Sequence, residues 1–390
     1  MGFDLYSTAG APVEQQVLHW RDMAQTPISK LDDEACARVR VVLMSALEGL
    51  ALRFAHAAGL AEPALREPLA RLRRVELQQA LAVQSMLGAD HSALELAVAY
   101  KQCGIEVGAA LARCEAGSAL GTALRFILLD DVDHLYRLAA ALDRVEGKDA
   151  NNILQSHTDI VCARPTILQH RAAQDDLRDA AAAASLTPRA RVHLMVAMAC
   201  AQGAGELLLR DAARQADPVL RQLYAEIASV EEQHLSHLES LLDARSGWLS
   251  QWLLLQSAEA LCYHACLRHE SAPRLKAWWE RMLDFEIGQF HEVARLLLGH
   301  QGLDARAVLP GELDDCLDFC SQRAFIQQVL AQELDRSCMA GAYVPRSQES
   351  QATRDWRAAL NAEGSPSESV AAGYSWFPGT ELARLQPGVV

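Results

Sequence analysis

Apolar residues recur at three- and four-residue steps along nearly the whole chain from Leu31 to His300, the spacing that turns one face of an α-helix toward a core. Ala, Leu, Arg, Glu and Gln dominate these stretches and β-branched runs are short, so local propensity agrees with the period. Breakers cut the pattern into segments of roughly 25 residues. Gly59 and Pro63, Gly88 with Asp90, and Gly117 with Ser118 divide the first half, while Thr187-Pro188, Asp217-Pro218, Gly247 and Ser271–Pro273 divide the second. A capping side chain followed by proline is a strong start signal, because proline at the first helical position gives up no hydrogen bond. Two sets of four long helices with short loops predict an all-α chain of two tandem antiparallel four-helix bundles, at 31–146 and 187–300. Residues 1–30 form an N-terminal extension, 147–186 a linker, and 301–390 a helical extension with an irregular tail.

The two halves read as copies. With a shift of 155 positions, Val75–Leu87 (VELQQALAVQSML) lies over Val230–Leu242 (VEEQHLSHLESLL) with five identities in thirteen, and Asp131 falls over Glu286. The linker is dense in His157, Arg164, His170, Arg171, Asp175, Asp176 and Arg178, which suits either a salt-bridged connector or a cap that holds an anionic substrate or a partner helix. Beyond His300, Leu313–Leu334 and Ser350–Leu360 predict helices. The tail from Asn361 is expected to drape over the surface, anchored by Tyr374, Trp376 and Phe377.

Acidic residues occupy positions where this amphipathic pattern calls for leucine. Glu48, Glu206 and Glu259 are flanked by apolar runs; Glu76 and Glu231 hold matched places on the second helices, followed three residues later by Gln79 and His234. Asp131 and Glu286 do the same on the fourth helices, followed by His134 and Gln289. On the third helix of the first half the choice lies between Glu106 and Glu95, and spacing favours Glu106. Residues three apart share a helix face, so Glu-x-x-His delivers a carboxylate and an imidazole to one ion. Four carboxylates neutralise two divalent cations. Without metal, each ionised acid in a core would cost several kcal/mol or be driven to protonate.

The order Glu, Glu-x-x-His, Glu, Glu-x-x-His on successive helices resembles the ferritin-like diiron carboxylate superfamily, which includes rubrerythrins and many O2-using oxidases. IASVEEQHLSHLESLL (Ile227–Leu242) is the stretch most similar to a metal-binding helix of that family. The resemblance implies metal ligands Glu206, Glu231, His234, Glu259 and Glu286 in the second bundle, and Glu48, Glu76, Glu106, Asp131 and His134 in the first. It implies a diiron or mixed Fe/Mn centre that reduces or activates O2 or peroxide, with a small-molecule substrate. Each copy departs by one imidazole: Gln79 replaces one histidine and Gln289 the other, and an amide is a poorer ligand for iron or manganese. A metal-free scaffold or binding protein that kept the bundles is the alternative.

Composition narrows the partners. Half the residues are hydrophobic (51%), ample for a large core, and 36 basic against 50 acidic residues give a net charge of −14. Such a chain repels phosphates, so neither nucleic acid nor an anionic membrane is expected as partner. No apolar run reaches the ~20 residues of a membrane span. Met1–Gly10 lacks the basic and apolar parts of a secretory signal, and the ten cysteines show no framework spacing, which predicts a cytoplasmic protein with reduced thiols. Cys262 and Cys266, around His264, and Cys316 with Cys320 have helical spacing that could hold a soft metal, though isolated helical cysteines are more often small buried hydrophobes. His237 and His269 read as structural, and Trp278 and Trp279 as core or interface rings. No Walker loop, dinucleotide fingerprint or nucleophile elbow occurs. Exposed bundle faces predict a homodimer.

Overall fold

Eight long helices form where the period places them. In the computed structural model, which describes residues 2–30, 34–88, 90–243, 245–313 and 316–379, they are α1 (Ala35–Ala61), α2 (Arg66–Ser85), α3 (Ala93–Cys114), α4 (Ala119–Glu146), α5 (Pro188–Ala212), α6 (Pro218–Glu239), α7 (Trp248–His269) and α8 (Pro273–Gln301). The punctuation works as chemistry. Ser92 and Glu95 form a reciprocal capping box on α3, Ser118, Thr187 and Asp217 accept from the first free amides of α4, α5 and α6, and Pro188, Pro218 and Pro273 open their helices. Gly147 and Gly302 close α4 and α8 in the left-handed conformation.

Consecutive helices pack as four antiparallel hairpins, α1–α2, α3–α4, α5–α6 and α7–α8. The buried polar groups show how these combine, and the grouping differs from one bundle per half. Tyr263 on α7 donates to Glu48 on α1 at 2.6 Å, and Gln79 on α2 donates to Glu286 on α8 at 2.6 Å. Lys101 on α3 reaches Asp131 on α4 and Glu231 on α6. The first hairpin therefore meets the last and the second meets the third, a nested order. Periodicity tells each helix which face to bury but not which helix will cover it.

α1 and α5 form the seam, touching each other and helices of both groups. Gly203 permits that approach, since a Cβ there would come 2.8 Å from the Cβ of Ala46. A helix covered on most sides needs apolar residues around most of its circumference. By length and composition α5 is in fact apolar enough to cross a membrane, contrary to the expected absence of such a stretch, with 67% of the qualifying window buried against other helices.

The connector is a salt-bridged structure laid over α4 and α6. Arg164 donates to Asp130 at 2.6 Å, and Arg171 pairs with Asp176 at 2.5 Å. The C-terminal extension departs from expectation at its start: the predicted helix from Leu313 begins only at Arg323, as α9 (Arg323–Glu333). The irregular segment before it carries Cys316, joined in a disulfide to Cys114 at the end of α3. This corrects the reading of the thiols as reduced for these two cysteines, while the other eight are thiols; 202 residues separate the partners, so no spacing could signal them. A two-stranded hairpin, β1 (Arg336–Met339) with β2 (Ala342–Pro345), follows and was not anticipated. Ser350 caps α10 (Gln351–Leu360), as its sequence suggests, and α11 (Pro366–Ala371) packs on α6 and α4. Two of the three tail rings hold the chain down. Tyr374 stacks edge-on against Tyr136 and Trp376 donates to Asp149 at 3.1 Å, while Phe377 stays 64% exposed.

Candidate metal centres

Cluster one lies between the first and last hairpins. Glu48, Glu76, Glu259 and Glu286 project from α1, α2, α7 and α8 and are buried, with donor oxygens of the first three within 4.8 Å of one another. Their neighbours are neutral: Gln256 donates to Glu76 at 2.9 Å and to Glu259 at 2.6 Å, Tyr263 to Glu48, and Gln79 to Glu286. Among the described residues no basic side chain pairs with any of the four. Glu48, Glu76, Glu259 and Glu286 each keep one carboxylate oxygen without a partner, as do the amide oxygens of Gln256 and Gln289. Burial, reinforced by the mutual repulsion of the acids, drives the carboxyls of Glu48, Glu259 and Glu286 well above their ordinary range, and burial lifts Glu76 to about 7. This is a cavity of oxygens that must take up protons or cations. An all-oxygen set suits hard divalent ions.

Cluster two lies between the second and third hairpins and contains imidazole. His134 and His234 are fully buried, three residues after Asp131 and Glu231 on their helices. Each ring is tied outward through Nε2, His134 to the side-chain oxygen of Gln169 at 2.6 Å and His234 to Asp130 at 3.1 Å. Arg164 anchors Asp130 in turn. These contacts place a proton on each Nε2 and leave Nδ1 as the inward atom. Neither Nδ1 has a hydrogen-bond partner. That of His134 lies 3.3 Å from Glu231 and 3.8 Å from Asp131; that of His234 lies 3.6 Å and 3.9 Å from the same carboxylates.

A lysine completes this second cluster. Lys101 donates to Asp131 at 2.8 Å and also to Glu231. Burial opposes every charge here, but the ion pair prevails: the ammonium of Lys101 is held above its ordinary range and Glu231 well below. Burial would also lower His234, yet Glu231 and Asp130 outweigh it and push the imidazole up to about 9. The 155-residue shift explains why a lysine fits. The position matching Glu259 is Gly104, where a Cβ would stand 3.3 Å from Asp131, so the helix without an acid leaves room one turn earlier for Lys101.

The ligands assigned to each half are thus redistributed. Glu48, Glu76, Glu259 and Glu286 converge in one cluster, and Asp131, His134, Glu231 and His234 in the other. Each half does not lose one histidine to one site; both glutamines fall in the first cluster and both histidines in the second. Glu206 and Glu106 belong to neither. Glu206 pairs with Arg53 at the surface, its side chain 37% exposed. Glu106 is buried against the connector, accepting from Thr158 at 2.6 Å and from the backbone of Gln322 at 2.9 Å, and burial raises it to about 7. Glu95 serves in the cap of α3 and pairs with Lys30. Lys101 escaped notice, although a lysine inside the apolar stretch AVAYKQCG was the signal available. His237, as expected, is structural, bonded to Tyr343 at 2.8 Å.

Two cavities adjoin the second cluster. A cavity of about 20 Å³, the size of one water, lies beside Lys101, Asp131 and Glu231. A wider cleft of about 1200 Å³ also reaches Glu231, walled by Arg171, Leu209, Leu235, Trp356 and Leu360. No protein-family model, curated protein or solved structure matches the chain.

Proposed function

We propose that the chain is a metal-dependent oxidoreductase of ferritin-like carboxylate type, with its redox ion in the two-histidine cluster and two further cations among the four glutamates. The supporting observation is the pair of buried Nδ1 atoms on His134 and His234, both without partners and both facing the same two carboxylates while their Nε2 atoms are fixed from behind. Two buried ring nitrogens without hydrogen-bond partners on one spot are costly and form the pattern of a ligand set, in which an ion would take the place of the Nδ1 proton that His234, pushed up to about 9, otherwise keeps. Two imidazoles with two carboxylates suit iron or manganese, which when bound supply electron exchange with O2 or a peroxide.

The side chains have definable tasks. Gln169 and Asp130 fix the tautomer and aim of the rings. Lys101 offsets the charge of Asp131 and Glu231 and offers a proton beside them. The apolar cleft that reaches Glu231 admits a small organic substrate and limits water near the charged centre. In the first cluster, four glutamates with the unpartnered amide oxygens of Gln256 and Gln289 fit two hard cations.

One observation favours a metal-free scaffold instead. Lys101 already bridges the carboxylates of the second cluster, and protons can satisfy the first. Elemental analysis of protein expressed with iron and manganese separates the readings. Up to three ions per chain are expected, and the double variant His134→Gln/His234→Gln loses the one with optical response to reduction and re-oxygenation. Substoichiometric metal, unchanged in that variant, would leave the scaffold.

A further inference from the structure

We infer that Cys114, Cys316 and His193 form a site for a soft divalent ion of the zinc class, closed by the disulfide and opened by a thiol reductant. It shares no residue with either carboxylate cluster. The two sulfurs and a ring nitrogen of His193 lie within 4.8 Å of one another. Three distant parts of the chain supply them: the end of α3, the irregular segment before α9, and the first turns of α5.

The histidine is what a structural crosslink would not need. His193 is fully buried, and its Nδ1 lies 2.8 Å from the carboxylate of Glu115, which Arg189 also contacts at 3.2 Å. The carboxylate keeps the ring proton on Nδ1 and leaves Nε2 as a bare lone pair. That Nε2 has no partner. A carboxylate behind an imidazole, with the second nitrogen bare, is the arrangement that orients a metal ligand.

Charge supports the assignment. Two thiolates neutralise one divalent ion, and Glu115 with Arg189 already balance each other, so a loaded site adds no net charge to the interior. Cα atoms of the cysteines stand 6.0 Å apart, so side-chain rotation can spread the sulfurs around an ion. Both cysteines are half-buried, within reach of solvent.

The chemistry balances. A dithiol gives two electrons and two protons to the S–S bond, becoming a disulfide itself and leaving Cys114 and Cys316 as thiols. An ion then binds both sulfurs and Nε2 with release of two protons, and water fills the fourth place. Either state ties the C-terminal extension to α3 and α5; exchange with the disulfide form of the same dithiol reverses the step, returning two electrons to that reagent and expelling the ion.

Co²⁺ tests this on the full chain, because thiolate-to-cobalt charge-transfer absorption cannot arise from the sulfur-free carboxylate clusters. After reduction by a dithiol and removal of excess reductant, one equivalent should give that band with tetrahedral visible bands, and Zn²⁺ should displace it. The oxidised chain should show none. Cys114→Ser and Cys316→Ser should abolish the band, and His193→Gln should weaken affinity about tenfold or more. No band in the reduced chain, a band surviving in the serine variants, or unaltered affinity in His193→Gln would overturn the site. Should a variant not fold, alkylation of the reduced wild type decides: Zn²⁺ is expected to protect Cys114 and Cys316 but not exposed Cys320, and equal labelling with and without Zn²⁺ overturns the proposal.

Discussion

The two carboxylate clusters occupy equivalent places on two sets of four helices, yet they solve the same electrostatic problem differently. In the cluster of α3, α4 and α6, Lys101 stands between Asp131 and Glu231, and Arg164 and Arg171 back the neighbouring Asp130. In the cluster of α1, α2, α7 and α8, the hydrogen bonds to the four glutamates among the described residues come from amides and a phenol. Burying a carboxylate demands a countercharge or a proton. One cluster carries its cation in the sequence, and the other must draw protons or cations from solution. The imidazoles go with the first arrangement and the glutamines with the second, so the division is one of donor type as well as charge.

The sharpest way to break this contrast is to exchange the built-in cation. Lys101→Met leaves Asp131 and Glu231 without their ammonium, and the loss of one partner of a buried ion pair costs about 3–5 kcal/mol. Denaturant unfolding of the metal-free variant should show that loss, and Mn²⁺ should recover part of it. Glu286→Gln should have the opposite sign, stabilising the metal-free protein by removing an acid that has no countercharge. A Lys101→Met protein as stable as the parent would mean that the ammonium does not balance the cluster.

Acidity offers a second, somewhat smaller test. Glu76 is lifted from 4.5 to about 7, so the folded protein holds this proton where the unfolded chain has lost it. Its contribution therefore becomes destabilising as pH rises above 4.5 and reaches its full size above about 7, where the shift corresponds to about 3 kcal/mol. The difference in unfolding free energy between Glu76→Gln and the parent, measured without metal from pH 5 to 8, should grow with pH in favour of the variant. Saturating Mn²⁺ should remove the parent's loss. A flat difference would place Glu76 in a site that is already neutralised.

What the sequence revealed and what it hid follow from the range of each signal. Helix positions were legible because capping and period act within a turn or two, as at Ser92, Thr187 and Asp217. The inward acids were legible because Glu48 and Glu259 interrupt apolar faces. Which acids meet was not, since that depends on α1 and α5 packing through Gly203 and Ala46, two small residues that carry no pairing label. The same limit hid the bond between Cys114 and Cys316. Lys101 was hidden for another reason: its meaning lies in Gly104, the empty position one turn away. The hairpin at Arg336–Pro345 escaped because its strands are four residues long and turn through Ala340 and Gly341 at positive φ (47° and 84°).

Donor exchange sharpens the comparison at lower amplitude. Gln289 donates to Gln79 at 3.0 Å, so these amides face each other across the four-glutamate cluster at the places where the other cluster holds imidazole. Gln79→His/Gln289→His should raise affinity for a first-row ion such as Fe²⁺ or Co²⁺ about tenfold, or ~1.4 kcal/mol, relative to Mg²⁺, read by competitive titration. Equal gains for Mg²⁺ would mean that the new rings do not reach the ions.

The smallest effect belongs to Glu206, the acid that periodicity directed inward and the fold turns out. Its partner Arg53 is half-exposed, and such surface pairs are worth about 0–1 kcal/mol. Glu206→Ala should leave the metal content unaltered and shift unfolding by no more than about 0.5 kcal/mol. Glu206 lies one residue from Gly205, whose Cβ would stand 3.3 Å from Glu231, so a modest rotation of α5 could bring the carboxylate toward the second cluster. A lost equivalent of metal in Glu206→Ala would show that this rotation occurs on loading, and that the cluster draws an acid from α5 after all.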